Sequence, residues 1–588
     1  MLANIIRITL ACLFFVPTLS SAENHWFTNL PLDSKGWTDF QALTDSGYSS
    51  ARVLFVSSSS GNDTSAENHI ADNGHYRISD VTFDSDGIFQ SPENVSPFAT
   101  IQTAYAYCRD GFPDILLLER GSTWTSGVSG SVNSGASQSA PHIIATYGSS
   151  GNRPQLTDVM LDCDNADCLI VSGIHFYSAE WTSAGRAVET RGDPDYQTFE
   201  DLFFTQKAGD IIQGQSGSYA SYIAFRRCHW YHGEAHDGQL FAQHADYVLI
   251  EECSFQEPFD DDYADESRFG RFFYFSSEPT GGGSEHDFLN HVYMLGNVFY
   301  NGERDAVDLR SGGDFKYNLV VASDYNHFGG RGGSEDTIQS VDIEYNAFLE
   351  GPPNVSGYNG IHLINIDGGT INENILTDNT NIGPYGYCLS IAGDGVCLWI
   401  ARNIDITNNI FYGRSAAFNL RTNRTLEDVQ NITISNNDFQ LVNGSEIILQ
   451  STWDEGRYRF EGYTYQNNRY YSSEAADDWF TPCGSYSDWV SESGETGSSS
   501  IQLSYSAPSR TVGSYNQSLG GSATTADFMA SVRAQARHNW DPDLLALSAV
   551  NYFRSGFDED SAAYSYKSYE KNEQSCIGLP AIPLLLLQ

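Results

Sequence analysis

The sequence predicts an all-β chain wound as a parallel solenoid, and three observations predict it. The first is a recurring sentence of alternating apolar and polar residues, then Asn or Gly, then an apolar or aromatic residue. It reads Val292-Tyr-Met-Leu-Gly-Asn-Val-Phe299, Val341-Asp-Ile-Glu-Tyr-Asn-Ala-Phe348, Ile404-Asp-Ile-Thr-Asn-Asn-Ile-Phe411 and Ile432-Thr-Ile-Ser-Asn-Asn-Asp-Phe439, with fainter copies at Leu169–Phe176, Val248–Phe255 and Gly369–Leu376. The second is the period, roughly 22–28 residues, too short for a propeller blade and without the helix of an ankyrin or tetratricopeptide unit. The third is strict period-2 alternation in Val and Ile, which marks short strands with one buried face. Asn tolerates the left-handed bend such coils need and can align with the Asn of the next coil. A β-sandwich would also alternate, but it needs hairpin signals at short intervals, and these are scarce.

The elements follow in order. Met1–Leu19 carries Arg7, an apolar run broken by Pro17 and the small-residue exit Ser20-Ser21-Ala22. This reads as a secretory signal peptide (residues 1–22), so a secreted, periplasmic or cell-surface protein with no membrane span in the mature chain is expected. Residues 23–155 hold a strand at Val53–Ser57, a short amphipathic helix in Pro97–Cys108, an apolar strand at Asp114–Glu119 and a further strand from His142. Coils are expected over 156–471. Residues 472–522 are rich in Ser and Gly and read as irregular, and 523–588 hold a helical segment, Thr525–Arg537 then Leu544–Arg554, before an apolar tail.

Of the 588 residues, 31 are Lys or Arg and 75 are Asp or Glu, a formal net charge of −44. Such acidity argues against nucleic-acid binding and for a surface that holds divalent cations or tolerates salt. Cys163 and Cys168 flank one short loop, Cys388 and Cys397 another, and either pair could close a small disulfide. Cys228 and Cys253 occupy equivalent places in successive coils, as a bridge between rungs or as two buried thiols.

The order Pro-Phe-x-Thr-Ile-Gln-x-Ala at 97–104, Asp-x-Leu-Leu-Leu-x-Arg-Gly at 114–121 and a Tyr-Gly-Ser strand closing on Arg153-Pro resembles the start of secreted right-handed parallel β-helix proteins of the pectin-lyase-like superfamily. The resemblance covers about residues 50–470. It implies an N-terminal capping helix, a C-terminal helical segment docked on the solenoid, and a substrate groove along the outer face of one sheet. It also implies that a lyase would use calcium with a Lys or Arg.

A second strand series lies beside the first: Leu240-Phe-Ala-Gln, Phe273-Tyr-Phe-Ser, Val307-Asp-Leu-Arg, Ile361-His-Leu-Ile, Phe418-Asn-Leu-Arg and Ile447-Ile-Leu-Gln. With first and third residues inward, the second and fourth face out. Stacked coils then show one column of Phe241, Tyr274, Asp308, His362 and Asn419 and another of Gln243, Ser276, Arg310 and Arg421. The densest point is Glu303–Lys316.

Removing the C5 proton of a uronic acid needs a positive charge on the carboxylate, a base, and an acid for the leaving oxygen. Arg310 or Lys316 are the candidates for the charge or base, and His291 or Tyr293 for proton transfer. Asp308, Tyr274, Arg271, His362, Arg421 and Gln243 are expected to bind substrate. The run Asp260, Asp261, Asp262, Asp265 and Glu266 is the candidate calcium loop, although it lacks EF-hand spacing.

The expectation is a monomeric exported lyase acting on an acidic polysaccharide. A hydrolase of the same fold, using carboxylates among Glu303, Asp305 and Asp308, stays open. So does a non-catalytic adhesin, although long insertions at Phe259–Ser284 and Tyr325–Glu335 favour a built site.

Overall fold

The structure is a computed structural model. It describes residues 24–564 apart from 180–185, 207–209, 215–218, 234–238, 259–271, 276–289, 303–305, 310–311, 323–325, 332–338, 351–358, 365, 378–386, 392–400, 414–415, 423–428, 442–445, 453–459, 474, 476–477 and 482. The signal-peptide reading, the apolar tail and the candidate calcium loop lie outside these residues.

The chain winds as a parallel β-helix. Each coil adds one strand to each of three sheets, here I, II and III in the order the chain visits them, with 12, 16 and 14 strands. One coil runs through Val307–Leu309 in sheet I, Gly313–Lys316 in sheet II and Leu319–Val321 in sheet III. Each strand pairs in parallel with its counterpart one coil away.

Alternation sends Ile404, Ile406, Ile432 and Ile434 of sheet II into the core, all at most 1 % exposed. The aromatic residue that closes each repeat lies in sheet III and stacks down the interior: Phe411 on Phe439 at 4.9 Å and Phe439 on Tyr470 at 5.2 Å, both nearly coplanar. Burying each such ring contributes about 2–3 kcal/mol.

The refrain's Asn pair divides two tasks. Asn408, Asn436 and Asn467 take positive φ and turn the corner from sheet II to sheet III. The next residue, Asn409, Asn437 or Asn468, is buried and hydrogen-bonds along the solenoid axis. Asn409 donates Nδ2 to Ile371 O and to Asn437 Oδ1, and its own Oδ1 accepts the Asn374 backbone N–H. The ladder runs through Asn297, Asn318, Asn346, Asn374, Asn409, Asn437 and Asn468. Cys228 and Cys253 stand in the same column: the Cys228 N–H meets Cys253 Sγ at 3.4 Å and the Cys253 N–H donates to Asn297. They are two buried thiols, not a bridge. Cys163 and Cys168 are also buried, and pairing between them stays an expectation. Cys397 and the side chain of Cys388 lie outside the described residues.

Both ends of the chain fold back. The helix Ile101–Tyr105, capped by the Thr100 hydroxyl, sits where the resemblance implies. At the far end the helix Tyr486–Ser493 seats Trp489 fully buried under Phe480 and Tyr465. Glu495 then terminates the Asn ladder, accepting from Asn468 Nδ2, Tyr470 Oη and Trp489 Nε1. The region read as irregular thus contains this helix and another, Val512–Ser518.

Helices Val512–Ser518, Thr525–Arg533 and Ala546–Gly556 cover the outer face of sheet III, packing Val512, Phe528, Met529 and Val550 among Leu319, Val321, Leu349 and Ile375. The arm from Asn24 to Phe40, which the sequence reading left without structure, covers early coils of sheet II. Phe27 packs on Ala224, Leu249, Tyr293 and Leu295. Beneath the arm Arg226, 2 % exposed, pairs with Glu200 at 2.6 Å and Glu251 at 2.8 Å and donates to Gly36 O; His25 also contacts Glu251 at 3.0 Å. Such a buried network tolerates no missing partner, because the remaining charge would be desolvated and unpaired.

Candidate functional site

Sheet I is the face that neither terminal segment packs against among the described residues. Strand pairing aligns Phe241, Tyr274, Asp308, Gly329, His362, Ser390, Asn419 and Leu449 as one row across it. The flanking residues Phe273, Phe275, Val307, Leu309, Ile361 and Leu363 are buried in the core, whereas Phe241 and His362 are half-buried. The column read from the sequence is therefore continuous, with Gly329 and Ser390 filling its apparent gaps.

Length variation is concentrated on the same sheet. From the coil of Leu169–Ser172 onward the connection from sheet II to sheet III is two residues, as at 252–253, 296–297, 317–318, 345–346, 373–374, 408–409, 436–437 and 467–468; only the earlier 120–122 and 148–154 are longer. Connections into sheet I include 257–272 and 350–358, and connections out of it include 276–289, 332–338 and 392–400. A turn held by the Asn ladder cannot lengthen without losing its hydrogen bonds, so insertions go to the two edges of sheet I. The acidic run Asp260, Asp261, Asp262, Asp265 and Glu266, and Arg271, belong to one insertion, whereas Arg310 opens the three-residue connection 310–312. All lie outside the described residues.

The structure divides the other predicted residues between two faces. Asp308 and Tyr274 are neighbours in the sheet I row, with His362 two coils beyond Asp308. Gln243, in an adjoining position, is buried, and Arg421 pairs through its backbone with Ser451. His291, Tyr293 and Lys316 instead belong to sheet II. Tyr293 is 4 % exposed under the N-terminal arm, its ring edge-on to Trp26 at 5.4 Å, and so it does not face a substrate. Lys316 is buried at the corner toward sheet III, its Nζ 3.1 Å from Glu344, 3.6 Å from Asp314 and 3.7 Å from Asp342. It lines a cleft of about 520 Å³ with Tyr317, Tyr345, Glu373, Arg554 and Glu559. Burial and the neighbouring Glu373 raise the Glu559 carboxyl above its ordinary value. Three carboxylates surround the one Lys316 ammonium, an arrangement that suits an ion-pair anchor.

Two features escaped the sequence reading. Tyr196, Tyr222, Tyr247 and His291 form a stack where the chain enters sheet II, with centroids 4.8, 4.6 and 4.3 Å apart and planes within 13°. The signal was present as a repeated polar-aromatic dipeptide: Asp195-Tyr, Ser221-Tyr, Asp246-Tyr and Asn290-His. At the same corner, burial and the nearby Asp167 push the Asp195 carboxyl up to about 6. Among the described residues no group of His, Cys, Asp and Glu is placed to hold a metal ion, and no helix is long and apolar enough to cross a membrane.

No family model and no curated protein matches the chain. Among solved structures it is similar to a mannuronic acid specific polysaccharide family 6 lyase from human gut microbiota, at 14 % identity over 72 % of this chain and 93 % of that one, TM-score 0.41. It is also similar to a PL6 family polysaccharide lyase from Pseudopedobacter saltans (14 %, 67 % and 88 %, TM-score 0.38) and to the periplasmic alginate epimerase AlgG (9 %, 74 % and 82 %, TM-score 0.27).

Proposed function

We propose that the chain is an exported carbohydrate-active enzyme that binds an acidic polysaccharide along sheet I and cleaves it by β-elimination. The observation that carries this reading is the coincidence, on one sheet, of an in-register row of aromatic, acidic, imidazole, hydroxyl and amide residues with the chain's long insertions. Loops inserted on a rigid scaffold are where binding and catalysis concentrate.

In the proposed reaction a base takes the proton from C5 of a uronic acid, its electrons form the C4–C5 double bond, the C4–O4 bond breaks and O4 takes up a proton. Arg310 would neutralise the uronate carboxylate and so make the C5 proton removable. Tyr274 and His362, in register with Asp308, would be the groups to move protons. Calcium held by Asp260, Asp261, Asp262, Asp265 and Glu266 would supply further positive charge against a polyanion.

The test is incubation with alginate, pectate, chondroitin and sulfated algal glycans, with and without a chelator, following the absorbance of unsaturated uronates. A rise in that absorbance supports the reading. New reducing ends without it would assign a hydrolase, and binding without any product would assign an adhesin.

A further inference from the structure

The aromatic stack at the edge of sheet II occupies positions where rings are costly. Tyr196, Tyr222, Tyr247 and His291 have φ of 62°, 56°, 55° and 57°, a conformation that bulky residues rarely adopt. In later coils the column holds Gly312, Ser340, Gly368, Asn403, Asn431 and Gly462, and all but Ser340, at a register shift, keep positive φ in residues that accept it readily. Four successive rings in a strained conformation point to a use for the rings.

Within the stack each ring covers its neighbour's face, so Tyr222 and Tyr247 have no face left to offer. His291 differs. One face of its imidazole lies on Tyr247 at 4.3 Å and 7°, its Nδ1 is held by Asp246 Oδ1 at 2.8 Å, and its side chain remains 45 % exposed. The next coil places Gly312, without a side chain, at the corresponding position. Gly313 beside it must also be glycine, since a Cβ there would meet Val292 O at 2.4 Å, so the two coils approach closely at this corner. Gly312 follows Val307–Leu309 in the same coil, so the second face of His291 looks along the axis toward the coil that carries Asp308.

The geometry points to His291 as a stacking platform for one pyranose ring of the substrate, rather than a proton-transfer group. A flat ring clamped by Asp246 and backed by three tyrosines is pre-organised to cover the C–H face of a sugar, which buries apolar area at little entropic cost. The inference rests on the reading of sheet I as the glycan face and assigns one subsite to it.

The test compares His291→Ala and His291→Phe with the wild type, by affinity electrophoresis through alginate, pectate, chondroitin and sulfated algal glycans, and by kcat and KM on any glycan cleaved. Tyr occupies the same column in three coils, so Phe is tolerated there. His291→Ala is expected to raise KM, and weaken retention, about tenfold with kcat within about twofold, and His291→Phe to restore both. Loss of kcat in His291→Phe as large as in His291→Ala would overturn the platform and make the imidazole a proton carrier. Wild-type retention with unchanged retention of His291→Ala would overturn the subsite alone. A wild type that neither binds nor cleaves any of the glycans would overturn the proposed function and the subsite together.

Discussion

Trp37 and Trp540 meet edge-to-face at 4.9 Å, and the Arg227 guanidinium lies 4.4 Å from each ring. One tryptophan comes from the N-terminal arm and the other from the C-terminal segment, so these two segments are joined on one coil. Trp37→Ala should cost about 3–5 kcal/mol, since the ring is fully buried. Because the two rings share Arg227, the Trp37→Ala/Trp540→Ala double variant should lose less than the sum of the singles, measurable by urea unfolding.

Glu495 ends the Asn ladder. Glu495→Ala strips acceptors from Asn468, Tyr470 and Trp489 at once, and a loss of about 3 kcal/mol is expected. Glu495→Gln keeps one acceptor and should lose clearly less. Equal melting temperatures for the two would refute the capping role.

Lys316 is expected to anchor sheet II rather than act on substrate. Lys316→Met should leave kcat within about twofold, while leaving Asp314, Asp342 and Glu344 without their shared cation and lowering the melting temperature. A loss of turnover of a hundredfold or more in a folded protein would restore it to the reaction.

Asp308→Asn tests the sheet I row directly, and Arg310→Ala tests the positive charge proposed for the same coil. Each should reduce turnover at least a hundredfold with an unchanged circular dichroism spectrum. Full activity in Arg310→Ala would remove the central assignment.

Asp195 gives a pH signature. Its carboxyl is raised to about 6 in the folded chain, against about 3.9 when unfolded, so the folded state binds the extra proton between these values. Stability contributed by this group is present below about pH 4 and is lost as pH rises through 6. Asp195→Asn should therefore raise the melting temperature at pH 8 and leave it nearly unchanged at pH 3.5.

The fold was legible because Val-x-Ile alternation followed by Asn records a local requirement of every coil, and register then follows from stacking alone. Asp308, Tyr274 and His362 fell into one row for the same reason. The assignment of Tyr293 and Lys316 to that site failed because strands of sheets I and II alternate identically, so period cannot tell which face a polar residue joins; His291 stands where the chain enters sheet II from sheet I. The N-terminal arm escaped because it forms no long strand or helix. Its place is set by complementary surfaces at Phe27 and Arg226 that exist only once coils have stacked.

Trp489 and the helix that carries it have a consequence for the molecule in solution. A stack of parallel strands ends in a row of unpaired backbone donors and acceptors that would template another chain, end to end. The helix at Tyr486–Ser493 at one end, with Ile101–Tyr105 at the other, substitutes side chains for the missing next coil. Removing residues 486–495 should therefore turn a discrete particle into one that grows into filaments, visible by light scattering.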